Sequence, residues 1–485
     1  MNPVLITFVA YLLALLLIGR WLGGRHTDNK AFYLAGGAVP WWVVAVGMLG
    51  DSISGVTFVS VPGMVRAQQM TYLQLCFGFF LGYLLVAYVL LPLYYRLRLV
   101  SIYQYLGARF GPRAYRTGAG FFVLSKIFGA AAKLYLVTLI LQTLVFEALG
   151  VPYPCTVAGI VAVVWLYTRS GGMNTIVWTD VLQTLCLLVA LVLIIGQVGG
   201  ALNLSVSEMV NFVCQSPHSR VWVWDDWASP THALKQLVGG AFIVVVMTGL
   251  DQNMMQKNLT CRTLGEARKN MLVYGFGFIP LNFLFLALGI LLLAYAEAMG
   301  IALPAKGDEI LPLLAAHHLG TVALVCFSLG VTAAAFSNAD SALTSLTTSI
   351  CVDLLGLSPD AEGRSALRLR HGVHALVCVL FAIVILLIAH WQEGSVLMLI
   401  YKAVSYTYGP LLGLYAFGLF SSWAVKDRAI PWVCLSAPLL TYAAEWLLLE
   451  CGGYRAGYEI LLLNGAITAL GLWFARERSN RGVYV

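Results

Sequence analysis

The sequence predicts an all-α integral membrane protein of about 13 transmembrane helices. Three observations carry this. Of 485 residues, 60% are hydrophobic and only 11% are charged, against about 25% charged in soluble domains. Apolar runs such as Val4–Leu22, Leu73–Leu93, Val181–Val198, Leu281–Ala294 and Ala375–Ala389 approach the ~20 residues that cross a bilayer core. These runs are continuous rather than alternating. That selects helices over barrel strands, because lipid offers the backbone amides no partner outside the segment.

In order, the spans read 4–22, 41–66, 72–95, 118–146, 152–168, 177–200, 234–256, 271–298, 320–352, 372–390, 394–420, 430–449 and 457–475. The cations divide sharply between alternate loops. One set holds Arg20, Arg25, Lys30, Arg96, Arg98, Arg109, Arg113, Arg116, Arg169, Lys257, Arg262, Arg268 and Lys269. It continues with Arg364, Arg368, Arg370, Lys426, Arg428, Arg476, Arg478 and Arg481. The opposite set holds Arg66, Arg220, Lys235, Lys306 and Arg455, while Lys126, Lys133 and Lys402 fall within spans. The rich side is expected to be cytoplasmic, with the N-terminus outside, the C-terminus inside and an odd number of spans. The net charge of +7 is absorbed by this bias, and nothing in it asks for a nucleic acid. The first span does not read as a cleavable signal, since no cationic stretch precedes it.

The longest external segment, 201–233, carries Trp222, Trp224 and Trp227 with Asp225 and Asp226, a composition suited to interfacial anchoring. The ten cysteines are scattered without a Cys-x-x-Cys pair and read as buried free thiols rather than metal or redox centres.

Two spans are interrupted where hydrophobicity should be continuous. The second contains Gly47, Gly50, Asp51, Ser52, Ser54, Gly55 and Thr57, and the seventh contains Gly239, Gly240, Thr248, Gly249, Asp251, Gln252 and Asn253. They occupy equivalent places in two successive blocks of five spans. This pattern points to inverted repeats with discontinuous helices around a midplane binding site. Close helix packing alone explains the glycines. It does not explain Asp51 or Asp251, whose carboxylates are costly in a membrane unless they have a use.

The ninth span adds Ser337, Asp340, Ser341, Thr344 and Thr348, spaced by three and four residues along one helix face. A single hydroxyl there usually bonds back to its own helix. Five polar groups in a row, rich in oxygen and without histidine, suit a hard cation such as sodium better than zinc or copper.

Several segments, in order, carry a resemblance along nearly the whole chain. They are Phe32–Pro40, Pro92–Leu97, Ser101–Leu106 with Arg109 and Phe110, Gly171–Asp180 with Gln183, Asp251 and Gln252 with Gln256 and Lys257, and Ser337–Asp353. On these the chain resembles the sodium:solute symporter family. The resemblance implies a LeuT-like five-plus-five inverted-repeat core, with one extra N-terminal and two extra C-terminal helices. Residues 4–22 are then a peripheral helix, 41–200 the first repeat, 234–421 the second, and 430–475 two peripheral helices of one transporter domain. Carried over residue by residue, a first sodium site falls on Gly50, Ile53, Ala334, Ser337 and Asn338, the last in place of the usual Ser or Thr. A second cation site falls on Ser54, Thr57, Ser337, Asp340 and Ser341. Asp340 is expected either to ligate sodium or to titrate a proton, the structural alternative being a salt bridge to Lys126, Lys133 or Lys402.

The expected function is import of a small organic solute by sodium symport through alternating access. The solute class remains open among sugars, sialic acids, amino acids, vitamins and carboxylates. Asp51, Ser52, Gln74, Gln252, Tyr401 and Tyr406 are its candidate contacts. The expected partners are this solute, the coupling sodium ion and the lipid bilayer, with no obligate protein partner. A bacterial inner membrane is the expected location. The rival readings are a proton-coupled symporter using Asp340 and a membrane-embedded sensor. An enzyme is not expected, because neither His-x-x-x-His nor Gly-x-Ser-x-Gly occurs.

Overall fold

Pro40 holds extended backbone and has no amide hydrogen, so helix begins only at Trp41. The resulting helix, Trp41–Ser52, stops at Ile53, where the backbone is again extended. Ser54 restarts it by accepting the amide of Thr57 at 3.4 Å, as short hydroxyl residues do at helix N-caps. The second segment, Gly55–Gln68, leaves at 60° to the first. A computed structural model describes residues 3–23, 39–168, 172–227, 229–358, 363–391, 396–452, 454 and 456–477 of the chain. Phe32–Ala38 and Gly171 of the motifs, and Arg25, Lys30, Arg169, Arg455, Arg478 and Arg481 of the charge pattern, lie outside the described residues.

In chain order the helices are α1 (Pro3–Gly23), α2 (Trp41–Ser52), α3 (Gly55–Gln68), α4 (Tyr72–Leu97), α5 (Gln104–Arg109) and α6 (Pro112–Leu149). They continue as α7 (Tyr153–Thr168), α8 (Gly172–Ala201), α9 (Val206–Gln215), α10 (Ala233–Gly249), α11 (Gln252–Asn258) and α12 (Leu264–Ala298). The remainder are α13 (Ile310–His317), α14 (Gly320–Leu354), α15 (Arg364–Trp391), α16 (Val396–Thr407), α17 (Gly409–Phe420), α18 (Ile430–Gly452) and α19 (Ile460–Phe474). One short antiparallel pair, β1 (Ala424–Val425) with β2 (Arg476–Glu477), joins Ala424 to Glu477 in register.

Among the described residues, seven helices are long and apolar enough to cross a membrane, and counting each bent pair as one span brings the number to nine. The second bent pair is α10 with α11, which meet at 70°. There Leu250 and Asp251 interrupt the helix, and the Asp251 carboxylate caps α11 by accepting the amide of Met254 at 3.1 Å. Both predicted interruptions are therefore real bends, each ending in a capped new helix.

α14 forms the centre. Every residue from Gly330 to Ser349 is buried, and α14 packs on α1, α2, α3, α6, α8, α11 and α15. Gly330 lies against Ala190 while Ser337 bonds Asp180, so α8 and α14 run antiparallel. α4 and α10 approach closely through Gly78 and Gly240. A β-carbon on Gly78 would come within 2.4 Å of the Leu237 carbonyl, the small-residue contact expected between membrane helices. At the periphery α18 exposes Trp432, Leu439, Tyr442 and Trp446, an apolar face suited to lipid.

Candidate functional site

The first break is assembled from three elements. Gly50 ends α2 against Thr184 of α8, where an added β-carbon would stand 1.9 Å from the threonine oxygen. Only glycine lets the two backbones approach this closely. Thr184 in turn donates to the carbonyls of Asp180 at 2.6 Å and Val46 at 3.0 Å. This contact brings Asp51 of α2 and Asp180 of α8 to one place. Between them stands Lys257 of α11, donating to Asp51 Oδ2 at 2.9 Å and to Asp180 Oδ2 at 2.6 Å. All three side chains are at most 2% exposed. Asn253 donates to Asp51 Oδ2 at 2.8 Å, and Ser337 donates to Asp180 Oδ1 at 2.6 Å. Two carboxylates and one ammonium leave an excess negative charge in a buried, hydrogen-bonded cluster.

The second break has its own pair. Lys126 of α6 reaches Asp251 Oδ2 at 3.1 Å, and the Tyr408 hydroxyl donates to the same oxygen at 2.6 Å. Two turns further along α6, Lys133 donates to Asn338 Oδ1 at 2.7 Å. The Asn338 amide nitrogen turns back to the Ala334 carbonyl at 3.0 Å.

The stripe on α14 divides in two. Thr348 bonds back to the Thr344 carbonyl at 2.8 Å, the local behaviour of hydroxyls in helices. Asp340 accepts the amide of Ser341 at 2.6 Å. The Thr344 hydroxyl and both amide atoms of Gln183 are buried without a hydrogen-bond partner. Ser54 and Thr57 stand elsewhere along α14. Gly55 packs on Val331 and Phe58 on Gly330, nine residues from Asp340, roughly 13 Å by helical rise.

A model of the sodium:solute symporter family matches residues 32–430. The chain belongs to this family. It is 25% identical over 440 residues to a sodium/sialic acid symporter of Proteus mirabilis, covering 88% of this chain and 86% of that protein. It is 22% identical over 468 residues to a sodium/glucose cotransporter of Vibrio parahaemolyticus, covering 90% and 84%. Among solved structures, a Na+-coupled sialic acid symporter, substrate-bound and outward-open, superposes with a TM-score of 0.81 at 20% identity over 99% of this chain and 100% of that one. A nucleobase-cation-symport-1 family transporter in a closed conformation gives 0.60 at 15% identity, covering 92% and 94%. At these identities the two structures establish the fold, and with the family they make the chain an integral membrane transporter.

Within this symporter fold the six expected solute contacts each have their own protein partners. Asp51 is held by Lys257 and Asn253. Gln252 spends both amide ends on the loop before α5, accepting from the amide of Ile102 and donating to Val100, each at 2.9 Å. Gln74 accepts from the amide of Val223 and donates to Thr231. Tyr406 bonds Glu445. Ser52 joins the hydroxyl of Tyr274, which receives that of Tyr83 at 2.8 Å, and Tyr401 meets Tyr72 at 3.1 Å.

The lysines within spans also resolve. Lys126 pairs with Asp251 and Lys402 with Glu445, at 3.4 Å, so neither serves Asp340. Lys257, placed by its sequence position among the loop cations, is instead 1% exposed inside α11. The helix runs to Asn258, past the expected end at 256. The role of Lys257 was missed for that reason. The signal that was available is its place beside Gln256 in a motif already singled out.

Proposed function

We propose that the chain imports a small organic solute by sodium symport, with alternating access arising from movement of the two bent pairs against α8 and α14. The supporting observation is the Asp51–Lys257–Asp180 cluster, which joins α2, α11 and α8 in one buried network. Broken helices around a midplane site are the recurrent construction of such transporters.

Sodium suits the α8–α14 interface. Asp180, Asp340, Ser337 and Ser341 supply oxygens there. Gln183, one turn from Asp180, and Thr344, one turn from Asp340, hold buried polar atoms without partners. The first-site set carried over from the resemblance is Gly50 and Ile53 at the first break with Ala334, Ser337 and Asn338 of α14, and its Asn338 oxygen accepts from Lys133. Ser54 and Thr57 belong to that break rather than to Asp340.

For the solute, the hydroxyls of Ser52, Tyr72, Tyr274 and Tyr401, with the Phe79 and Phe278 rings 5.8 Å apart, form an aromatic lining with few polar groups, as small-molecule sites do. Sialic acid, sugar and other small-solute classes remain candidates.

The topology fits thirteen spans if the four shorter apolar helices Pro3–Leu15, Tyr153–Leu166, Gly409–Phe420 and Ile460–Phe474 also cross. Residues 41–200 and 234–421 then form the inverted repeats, with the N-terminus outside and the C-terminus in the cytoplasm of a bacterial inner membrane. A charge crossing 100 mV releases ~2.3 kcal/mol and a tenfold sodium gradient adds ~1.4 kcal/mol. One sodium therefore concentrates a neutral solute at most roughly 500-fold.

A thermal-shift screen of solute classes on the purified protein, with sodium and with choline, tests this reading. Stabilisation by one class only in sodium supports it. Equal stabilisation in both salts, followed by sodium-independent uptake into proteoliposomes, would sink it.

A further inference from the structure

Of Lys126, Lys133, Lys257 and Lys402, three face carboxylates. Lys257 meets Asp51 and Asp180, Lys126 meets Asp251, and Lys402 meets Glu445. Lys133 differs. Among the described residues no carboxylate lies within ion-pair distance of it, and its acceptor is the neutral Asn338 Oδ1 at 2.7 Å. A positive charge inside a membrane protein ordinarily has a counter-charge or a function.

The place it occupies is specific. Ala334, Ser337 and Asn338 are three of the five positions to which the family resemblance assigns the first sodium ion. Two of the three oxygens already accept hydrogen bonds, and the third belongs to a hydroxyl turned toward Asp180. The Ala334 carbonyl accepts the Asn338 amide at 3.0 Å, Asn338 Oδ1 accepts the ammonium, and the Ser337 hydrogen goes to Asp180 at 2.6 Å. The amide orientation is fixed by its partners. Reversed, Asn338 would aim its two N–H donors at an ammonium that has only donors. Asparagine in place of the usual hydroxyl residue also supplies an acceptor on a longer arm, able to meet a side chain from α6. The asparagine and the lysine thus explain each other. A sodium ion bound to the same amide oxygen would stand within a few ångströms of a like charge, so the donor set does not fit sodium while Lys133 is in place.

We propose that the Lys133 ammonium is the resident cation of the first site, a tethered charge standing where a transported sodium ion would bind. Its consequence is a stoichiometry. The chain takes up one sodium fewer than its count of sodium-site positions implies, and Lys133 is the residue that decides this. The inference rests on the sodium-symport reading for its meaning, but its test separates the two.

The test is equilibrium binding of 22Na+ to the purified full-length protein in nanodiscs, for the wild type, Lys133→Met and Lys133→Gln. Lys133→Gln keeps a donor for Asn338 and stands in if the methionine variant fails to fold. The expected result is one sodium bound per wild-type chain and two per variant chain, the added ion being lost again when Asn338→Ala is introduced. No sodium on the wild type and one on the variants would support the proposal while removing sodium coupling of the native protein. Equal sodium binding by wild type and both variants would overturn the proposal and leave sodium symport standing. No binding by any of them would overturn both.

Discussion

At the first break, Asp51 is 2% exposed, and its counter-ion Lys257, 1% exposed, belongs to the other broken pair and also binds Asp180 of α8. At the second, Asp251 is 3% exposed, and its counter-ion Lys126, on α6, is 17% exposed. Both breaks therefore place an aspartate beside a lysine, but the connections differ. Lys257 ties α2 to α11 and α8 at once, so the two broken pairs cannot separate without rearranging buried charge. Lys126 ties α11 only to its neighbour α6, at the edge of solvent access. In the proposed transport cycle the first pair would be the coupling element between the two bent pairs. The second holds one bent helix in shape.

The largest test of this contrast is Lys257→Met. Removing the only ammonium between two buried carboxylates should destabilise the protein by about 3–5 kcal/mol, the usual cost of orphaning a buried charge. Melting of the purified protein, followed by tryptophan fluorescence, measures it. Adding Asp51→Asn to Lys257→Met should recover part of the loss, because one unpaired carboxylate is then gone. A single variant that melts like the wild type would remove the distinction between the breaks.

Backbone approach sharpens the comparison next. At Gly50 an added β-carbon meets Thr184 Oγ1 at 1.9 Å and Thr184 Cβ at 3.0 Å, on a side chain held by two carbonyls. Gly50→Ala should cost about 1–3 kcal/mol through overpacking, partly relieved by Thr184→Ala. At Gly249, the corresponding glycine before the second break, the obstacles are methyl ends of Leu90 and Val86 at 2.5 and 2.9 Å. These can move. Gly249→Ala should shift the melting temperature by less than half as much, and a reversed order would place the tighter constraint at the second break.

How far the sequence carried this differs between fold and site for a physical reason. The bends were legible because glycines, serines and aspartates interrupt runs that lipid would otherwise keep apolar, and Ser54 and Asp251 are helix-capping residues at the interruptions. Among the described residues, seven to nine of the spans were legible from hydropathy. The partners of the charges were not. Which lysine meets which aspartate depends on how α6, α8, α11 and α14 pack, and packing leaves no periodic mark in one chain. Asp180 was visible only as part of a motif. Lys257 was assigned to a loop because hydropathy ends a span at the first cation, whereas a neutralised lysine can remain inside. Gln74 and Gln252 looked like solute ligands because polar residues in apolar runs suggest function. They instead satisfy loop amides and carbonyls at positions where the backbone leaves its helices.

A smaller effect is expected at Tyr408, whose hydroxyl donates to Asp251 Oδ2. Tyr408→Phe removes one hydrogen bond to a carboxylate that keeps Lys126 and the Met254 amide. About 1.5 kcal/mol is the expected cost, at the low end for bonds to charged groups.

The smallest is Lys126→Met. Asp251 would lose its counter-ion yet keep the Tyr408 hydroxyl and the Met254 amide, two donors that stabilise a carboxylate without neutralising it. The lysine itself is 17% exposed against 1% for Lys257, so this pair is the less enclosed of the two and its loss should cost less. The melting shift should therefore be several-fold below that of Lys257→Met under identical salt. It should also shrink as ionic strength rises, since accessible pairs are screened and buried ones much less so. Equal, salt-insensitive shifts for the two lysines would mean that the second break is as deeply locked as the first, and that both bent helices, rather than α2 alone, are held by buried charge.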